Sequence, residues 1–305
     1  MPNGAMKKRQ LTGSSYSRED RSKHPRARRL AAAALAAIVF LVQPLDAANL
    51  KPQALEAFNR YVQLTEAQTD GNLTRREAYL HIHALPEDRR TAAYAQLREG
   101  KVVIEHLETL DQGRQIQVPG GMIHDWIGTV FIPGATLAQT LTLDQDYDHH
   151  QDIFRPDVIR SKILRHSGDD FLVLLRFYKK KVITTVIDTE HEVHYTIMDA
   201  THVQSRSHTT RIQEVDNAGK SDESLEPEGH DRGFLWKMNT YWRFEEKDGG
   251  TYVECRSISL TRDIPAGLGW LIGPYVTSVP RESLTFTLAT TRSAVLERAV
   301  SRASK

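Results

Sequence analysis

The sequence predicts an α+β fold in which one strongly bent antiparallel sheet wraps around a long C-terminal helix, with a short helical leader in front. Three observations predict it. From residue 101 onward, β-prone runs follow one another across short turns, the texture of an antiparallel meander and not of strand–helix–strand units. Near the end of the chain, Leu284, Leu288, Thr291, Val295 and Ala299 recur along one helical stripe, widened by Phe286, Ala289 and Leu296. The 305 residues are 40% hydrophobic, enough for a packed core, yet no apolar run reaches the roughly 20 residues of a membrane-spanning helix.

The leader is charged very differently from the rest. Of 40 basic and 39 acidic residues, nine and three lie in 1–47, so the remainder carries a net charge of −5. Residues 30–42 are an unbroken apolar stretch, followed by Pro44 and the small residues Ala47 and Ala48. A basic region, a short apolar core and a small-residue exit are the three parts of a secretory signal. Residues 1–47 are therefore expected to be a signal peptide with a long basic start, cleaved after Ala47 or one residue later. A stretch of this length is too short to anchor the chain, and no Cys follows it to carry a lipid. The mature chain is expected to be exported, to the periplasm or beyond. Its mild acidity removes the electrostatic case for nucleic acid.

The elements follow in order. Leu55, Phe58 and Val62 give helical spacing over 52–67, stopped by the turn signal Asp70-Gly71-Asn72. A second helix is expected over 86–98, with Pro86 at its first position and Gly100 at its exit. These helices make 48–100 a leader to the main domain, 101–300. Strands are expected at 101–110, 115–118, 122–132, 157–166, 170–180, 182–198, 201–215, 233–246 and 251–260, with a helical or looped segment at 135–154. Residues 216–232, rich in Gly, Ser, Glu and Asp, read as a solvated hairpin loop. Around 265–279 glycines and Pro274 break a short apolar segment. Ser278 can cap the last helix, with Pro280 in its first turn and Glu282 complementing its positive end.

This order of elements resembles the START-like superfamily, a helix-grip group that includes polyketide cyclases, coenzyme Q-binding proteins and lipid-transfer domains. The resemblance is carried by Asp125-Trp126-Ile127-Gly128-Thr129-Val130-Phe131-Ile132-Pro133-Gly134, by the stretch 137–147, and by Val253-Glu254-Cys255 through Ser259-Leu260. It continues in Asp263-Ile264-Pro265, Gly269-Trp270-Leu271-Ile272-Gly273-Pro274 and Arg281-Glu282-Ser283-Leu284. It spans roughly residues 101–300. It implies a cavity between sheet and C-terminal helix that takes an apolar ligand. The superfamily has no shared catalytic set, so it implies no catalytic residue.

The residues bear on that cavity independently. Over 233–246 the even positions Phe234, Trp236, Met238, Trp242 and Phe244 form one apolar face, interrupted by Thr240. Phe171, Val173, Leu175 and Phe177 share a face, as do Thr189, His191, Val193, Tyr195 and Ile197. Val253, Cys255, Ser257 and Ser259 are all small. Large residues opposite small ones either interdigitate into a solid core or leave a void for a ligand. The candidate ligand-binding residues are Trp126, Phe171, Phe177, Tyr195, Arg206, Trp236, Trp242, Cys255 and Trp270, the last as core or as a gate. The strand 201–215 is polar on both faces, which suggests an edge. Were it to border the cavity, Arg206 or His208 could hold a carboxylate or phosphate. Glu254 and Arg256 read as an exposed surface pair.

The remaining motifs carry little chemistry. Asp144, Asp146, Asp148, His149, His150 and Asp152 have metal-ligand chemistry but sit on a polar connection and read as solvated surface. His191 and His194 in His191-Glu192-Val193-His194 point to opposite faces of a strand, which excludes a shared metal. The glycines at 267, 269 and 273 lack the βαβ setting of a dinucleotide site, and no Gly-x-Ser-x-Gly elbow occurs. A single cysteine, Cys255, leaves no intrachain disulfide and no cysteine-cluster zinc site. No catalytic residue, metal or cofactor is expected. The leading expectation is an exported, non-catalytic carrier of a hydrophobic small molecule (lipid, quinone or polyketide-like), not an integral membrane protein, with transient contact at a membrane surface left open. The alternatives are a cyclase- or dehydratase-type enzyme using the same cavity, with His191, Tyr195, Arg206 or His208 as its polar groups, and a cell-envelope interaction protein.

Overall fold

A computed structural model describes residues 48–74, 78–181, 184–264 and 269–303; side chains at 72–74, 269–276 and 302–303 lie outside the description. So do residues 1–47, on which the signal-peptide expectation falls, and the Trp270 side chain. Residues Asp46–Lys305 make one compact unit. In chain order its elements are β1 (Ala48–Asn49), α1 (Pro52–Thr74), a 3-10 turn (His81–Ala84), α2 (Glu87–Arg98), β2 (Val103–His106), β3 (Leu110–Asp111), β4 (Arg114–Gln115) and β5 (Gly121–Pro133). Then come α3 (Leu137–Asp144), a 3-10 turn (Tyr147–His149), α4 (His150–Ile153), β6 (Val158–Ser167), β7 (Asp170–Lys180), β8 (Thr184–Ile197) and β9 (His202–Asp216). The chain ends with β10 (Ser224–Leu225), β11 (His230–Asp231), β12 (Lys237–Lys247), β13 (Gly250–Arg262) and α5 (Gly269–Ala303).

One nine-stranded sheet dominates, in the order β2-β5-β13-β12-β9-β8-β7-β6 with β10 added to β9, antiparallel throughout and not closed. Register breaks in β6 and between β8 and β9 insert extra residues, which bend a sheet. Helix α5 covers the inner face, where Leu284, Leu288 and Val295 join Val130, Phe244, Val253 and Cys255 in one core cluster. The close approach is made at Gly128: a Cβ there would lie 2.6 Å from Leu288 Cδ1. Here the absence of a side chain is what lets helix and sheet meet.

The leader covers the other face. Phe58 and Tyr61 of α1 pack with Trp236, Ile258 and Leu260, and Leu80, Ile82, Ala93 and Leu97 pack with Phe131 and Tyr252. Polar contacts fix it there. Asp125 is buried and accepts from Arg256 Nε at 2.9 Å and from Tyr61 Oη at 2.8 Å. Glu254, also buried, accepts from His81 N at 2.7 Å. Burial pushes the Glu254 carboxyl up, against the pull of Arg243 and His81. Burying charges is costly unless each finds a partner, and here each does.

Several expectations are corrected. Helix α1 runs through Asp70-Gly71-Asn72 to Thr74. Helix α5 begins at Gly269, so Ser278 is inside it and not its cap, and the helix passes through Pro280. Strand β9 is central, between β12 and β8, and not an edge: its inner face is small and polar because large residues of its neighbours lie beside it. Residues 216–232 are not a free loop, since β10 pairs with β9 and β11 pairs with β1. Glu254 and Arg256 are not a surface pair; each belongs to a separate network beneath the leader. Asp144 and His150, expected on the surface, are buried.

Candidate ligand site on the inner face

Strand register sets the inner face out in cross-strand rows. One row is Gly128–Cys255–Trp242–Ser205–Tyr195 and the next is Trp126–Ser257–Thr240–Ser207–Val193–Phe171. In a third, His124 pairs with Ser259, Ser259 with Met238, and Thr209 with His191 and then Val173, while Met238 N donates to Thr209 Oγ1 at 3.0 Å. Under the C-terminal half of α5 these side chains are closed off. Toward the other end they are not: Trp126, Ser257, Thr240, Met238 and Trp242 form a contiguous patch that is only half buried, although it faces inward, and Leu175 and Phe177 on β7 share that property.

Two buried imidazoles beside the patch, His191 and His124, are held neutral. His191 is buried; Thr189 Oγ1 donates to the Leu175 carbonyl, so it accepts from His191 Nε2 at 2.8 Å, leaving Nδ1 to face the Ser207 hydroxyl at 3.4 Å. Burial, with a smaller contribution from His208, lowers the His191 pKa to about 4. His124 is held the same way by Thr261 at 3.0 Å, and burial followed by His106 lowers its pKa to about 4. The Ser205 hydroxyl is buried beside Trp242 and Tyr195 with no hydrogen-bond partner. Deeper still, Tyr195 donates to Asp144 Oδ2 at 2.6 Å, so Tyr147 donates to Tyr195 at 2.7 Å. Burial raises the Asp144 pKa to about 6 despite the Tyr195 bond. Among the described residues no group of three His, Cys, Asp or Glu is arranged to hold a metal ion.

The structure brings together Trp126 and Trp242 at the patch and Phe171, Tyr195 and Cys255 in the packed part of the same face, with Phe177 further off on β7 against His191. The Cys255 thiol is buried, which pushes its pKa far up and leaves it unreactive. Two candidates lie elsewhere. Trp236 precedes β12, so strand alternation does not reach it; it packs in the cluster under α1 and donates Nε1 to Asp231 Oδ1 at 3.0 Å. Arg206 pairs across strands with Tyr241 on the outer face and is bonded to Asp70 of α1. His208 shares that face and pairs with Glu192 at 3.2 Å. Sequence reading missed Ser257 and Thr240 as site residues. Both looked like gaps in apolar patterns, and only the register that sets them beside Trp126 gives them a role.

No protein-family model matches the chain, and no curated protein does. Solved structures similar to it include a Thermus thermophilus protein (12% identity, 58% of this chain and 98% of that one, TM-score 0.40). Others are a STAR-related lipid transfer protein from Xanthomonas axonopodis (15% identity, 63% and 98%, TM-score 0.39) and an aromatase/cyclase from a Streptomyces species (13% identity, 58% and 96%, TM-score 0.38).

Proposed function

We propose that this protein is an exported binder and carrier of a hydrophobic small molecule, held between the sheet and the first half of helix α5. The observation that carries the reading is the half-buried inward patch of Trp126, Met238 and Trp242, with Phe177 also half buried on the same face. Inward-facing indole and phenyl rings that stay partly exposed leave apolar surface that a ligand can cover, at about 25 cal/mol per Å² before association costs. Among the described residues no helix is long and apolar enough to cross a membrane. Export rests on the tripartite leader in 1–47.

Native mass spectrometry of the protein purified without detergent from an exporting host tests both parts. A discrete adduct lost on activation supports the carrier, and a start at Ala48 or Asn49 supports export. An apo mass unchanged by a panel of lipids and quinones overturns the first part; a retained leader overturns the second.

A catalytic reading has one observation in its favour, the buried Asp144–Tyr195–Tyr147 chain. Tyr195 is 1% exposed and fully engaged, so it positions Asp144 within the core instead of facing the patch. Turnover of a bound polyketide-like compound, abolished by Tyr195→Phe with binding retained, would favour the enzyme.

A further inference from the structure

We propose that the ligand of this site is uncharged and carries a hydroxyl or carbonyl oxygen that meets Thr240 and Ser257. The inference rests on the ligand-binding reading above and gives its ligand a chemical class. The three cross-strand rows of the inner face contain no Asp, Glu, Lys or Arg. Two of the imidazoles here, His124 and His191, are bonded to threonine hydroxyls and held neutral by burial; two more end the Trp126–Phe171 row, His106 edge-on to Trp126 at 5.0 Å and His166 stacked on Phe171 at 4.0 Å. A carboxylate or phosphate entering here would lose its hydration without gaining a counter-ion, which is the costly case of charge burial.

The cations along this face's margins are committed to partners, Arg232 among them to Asp216 and Glu214. Lys179, two positions beyond Phe177 on β7, is bonded to Asp157. Lys181 is held by Glu282 at 2.5 Å. Arg206, the residue that the sequence offered for an anionic head group, is on the opposite face with Asp70. What the patch does offer is oxygen chemistry. Ser257 and Thr240 are cross-strand neighbours and both are half buried, between the indoles of Trp126 and Trp242. Hydroxyls donate and accept, so they suit an alcohol or a ketone equally.

The test compares probes that differ only in the charged group: retinol against retinoate, and hexadecanol against hexadecanoate, titrated at pH 7.5 into the exported protein. Tryptophan quenching and retinoid fluorescence are the readouts. The alcohols are expected to bind at least tenfold more tightly than the acids. Thr240→Val with Ser257→Ala is expected to weaken retinol several-fold, and Thr240→Arg to reverse the preference toward the acids, with circular dichroism confirming the fold of each variant. Acids binding as tightly as the alcohols would overturn the proposal, and a loss of that binding in Lys179→Met would trace it to the rim lysine. Retinol affinity untouched by the paired substitution would overturn the role of the two hydroxyls. Failure of all four probes to bind would overturn the ligand-binding reading itself, a result distinct from binding with the wrong charge preference.

Discussion

Glu214 shows how a single side chain ties stability to pH. It is 0% exposed; Oε1 accepts from Phe234 N at 3.1 Å, while Oε2 has no hydrogen-bond partner and lies 3.5 Å from Arg232. Burial first, and the neighbouring Asp231 second, push its pKa from 4.5 up to about 7. The folded protein therefore holds this proton more tightly than the unfolded chain does. Its contribution is fully present below about pH 4.5 and is lost as pH rises through 7. Glu214→Gln is expected to raise stability at pH 8, by about 3 kcal/mol at most, and to bring no gain near pH 4.5. The acid side is ruled by histidines. His124, His150 and His191 have pKa values lowered to about 4, mainly by burial, so the stability they keep above pH 6.5 is lost as pH falls from 6.5 toward 4. Melting temperature against pH for both proteins checks this, and an alkaline difference of zero would refute the assignment of Glu214. None of it was legible in the sequence. Glu214 sits in a strand that looked polar on both faces, and its burial comes from contacts with residues 231–236.

At the scale of elements, the contact of helix α5 with β5 depends on Gly128. Gly128→Ala places a methyl group against Leu288 and is expected to cost about 1–3 kcal/mol, the usual range for overpacking. Leu288→Ala leaves a cavity and is expected to cost about 2–5 kcal/mol. The two together should cost less than their sum, because each change makes room for the other. Urea denaturation measures all three; strict additivity would show that the helix does not rest on this point. The helix itself was legible, since its apolar stripe is a local property. Its start was not. Ser278 and Pro280 are sound helix-start signals, yet the helix runs on from Gly269, where tertiary context overrides local preference. Strand β9 failed for a related reason: Ser205, Ser207 and Thr209 look like edge residues until Trp242 and Tyr195 are seen on either side.

For the whole molecule, the leader is half of a sandwich and not an attachment. Helices α1 and α2 and the 3-10 turn between them cover Phe131, Tyr252, Ile258 and Leu260; Tyr61 of α1 donates to Asp125 and His81 of the turn to Glu254. A chain beginning at residue 101 is expected to aggregate or to bind a hydrophobic dye, whereas one beginning at Ala48 melts cooperatively. Equal melting temperatures for the two would show that the sheet stands without its outer layer. The leader's two helices were readable from spacing. That they cover the face opposite to helix α5 was not, because an amphipathic stripe says that something must be covered and not what covers it.

The sequence by itself determined the class of fold, the meander, the two leader helices and the long last helix, because turn residues and apolar periodicity act within a few residues of each other. It also named Trp126, Trp242 and Phe177 as ligand-binding candidates, since alternation inside each strand groups apolar side chains on one side. Only the tertiary structure decided which of the polar residues are inside. Register set Ser257 and Thr240 between the tryptophans, the bonds across strands made His124 and His191 neutral, and the outer layer took Trp236 and Arg206 away from the site. Those choices depend on pairings between residues tens to hundreds of positions apart, and local pattern carries no record of them.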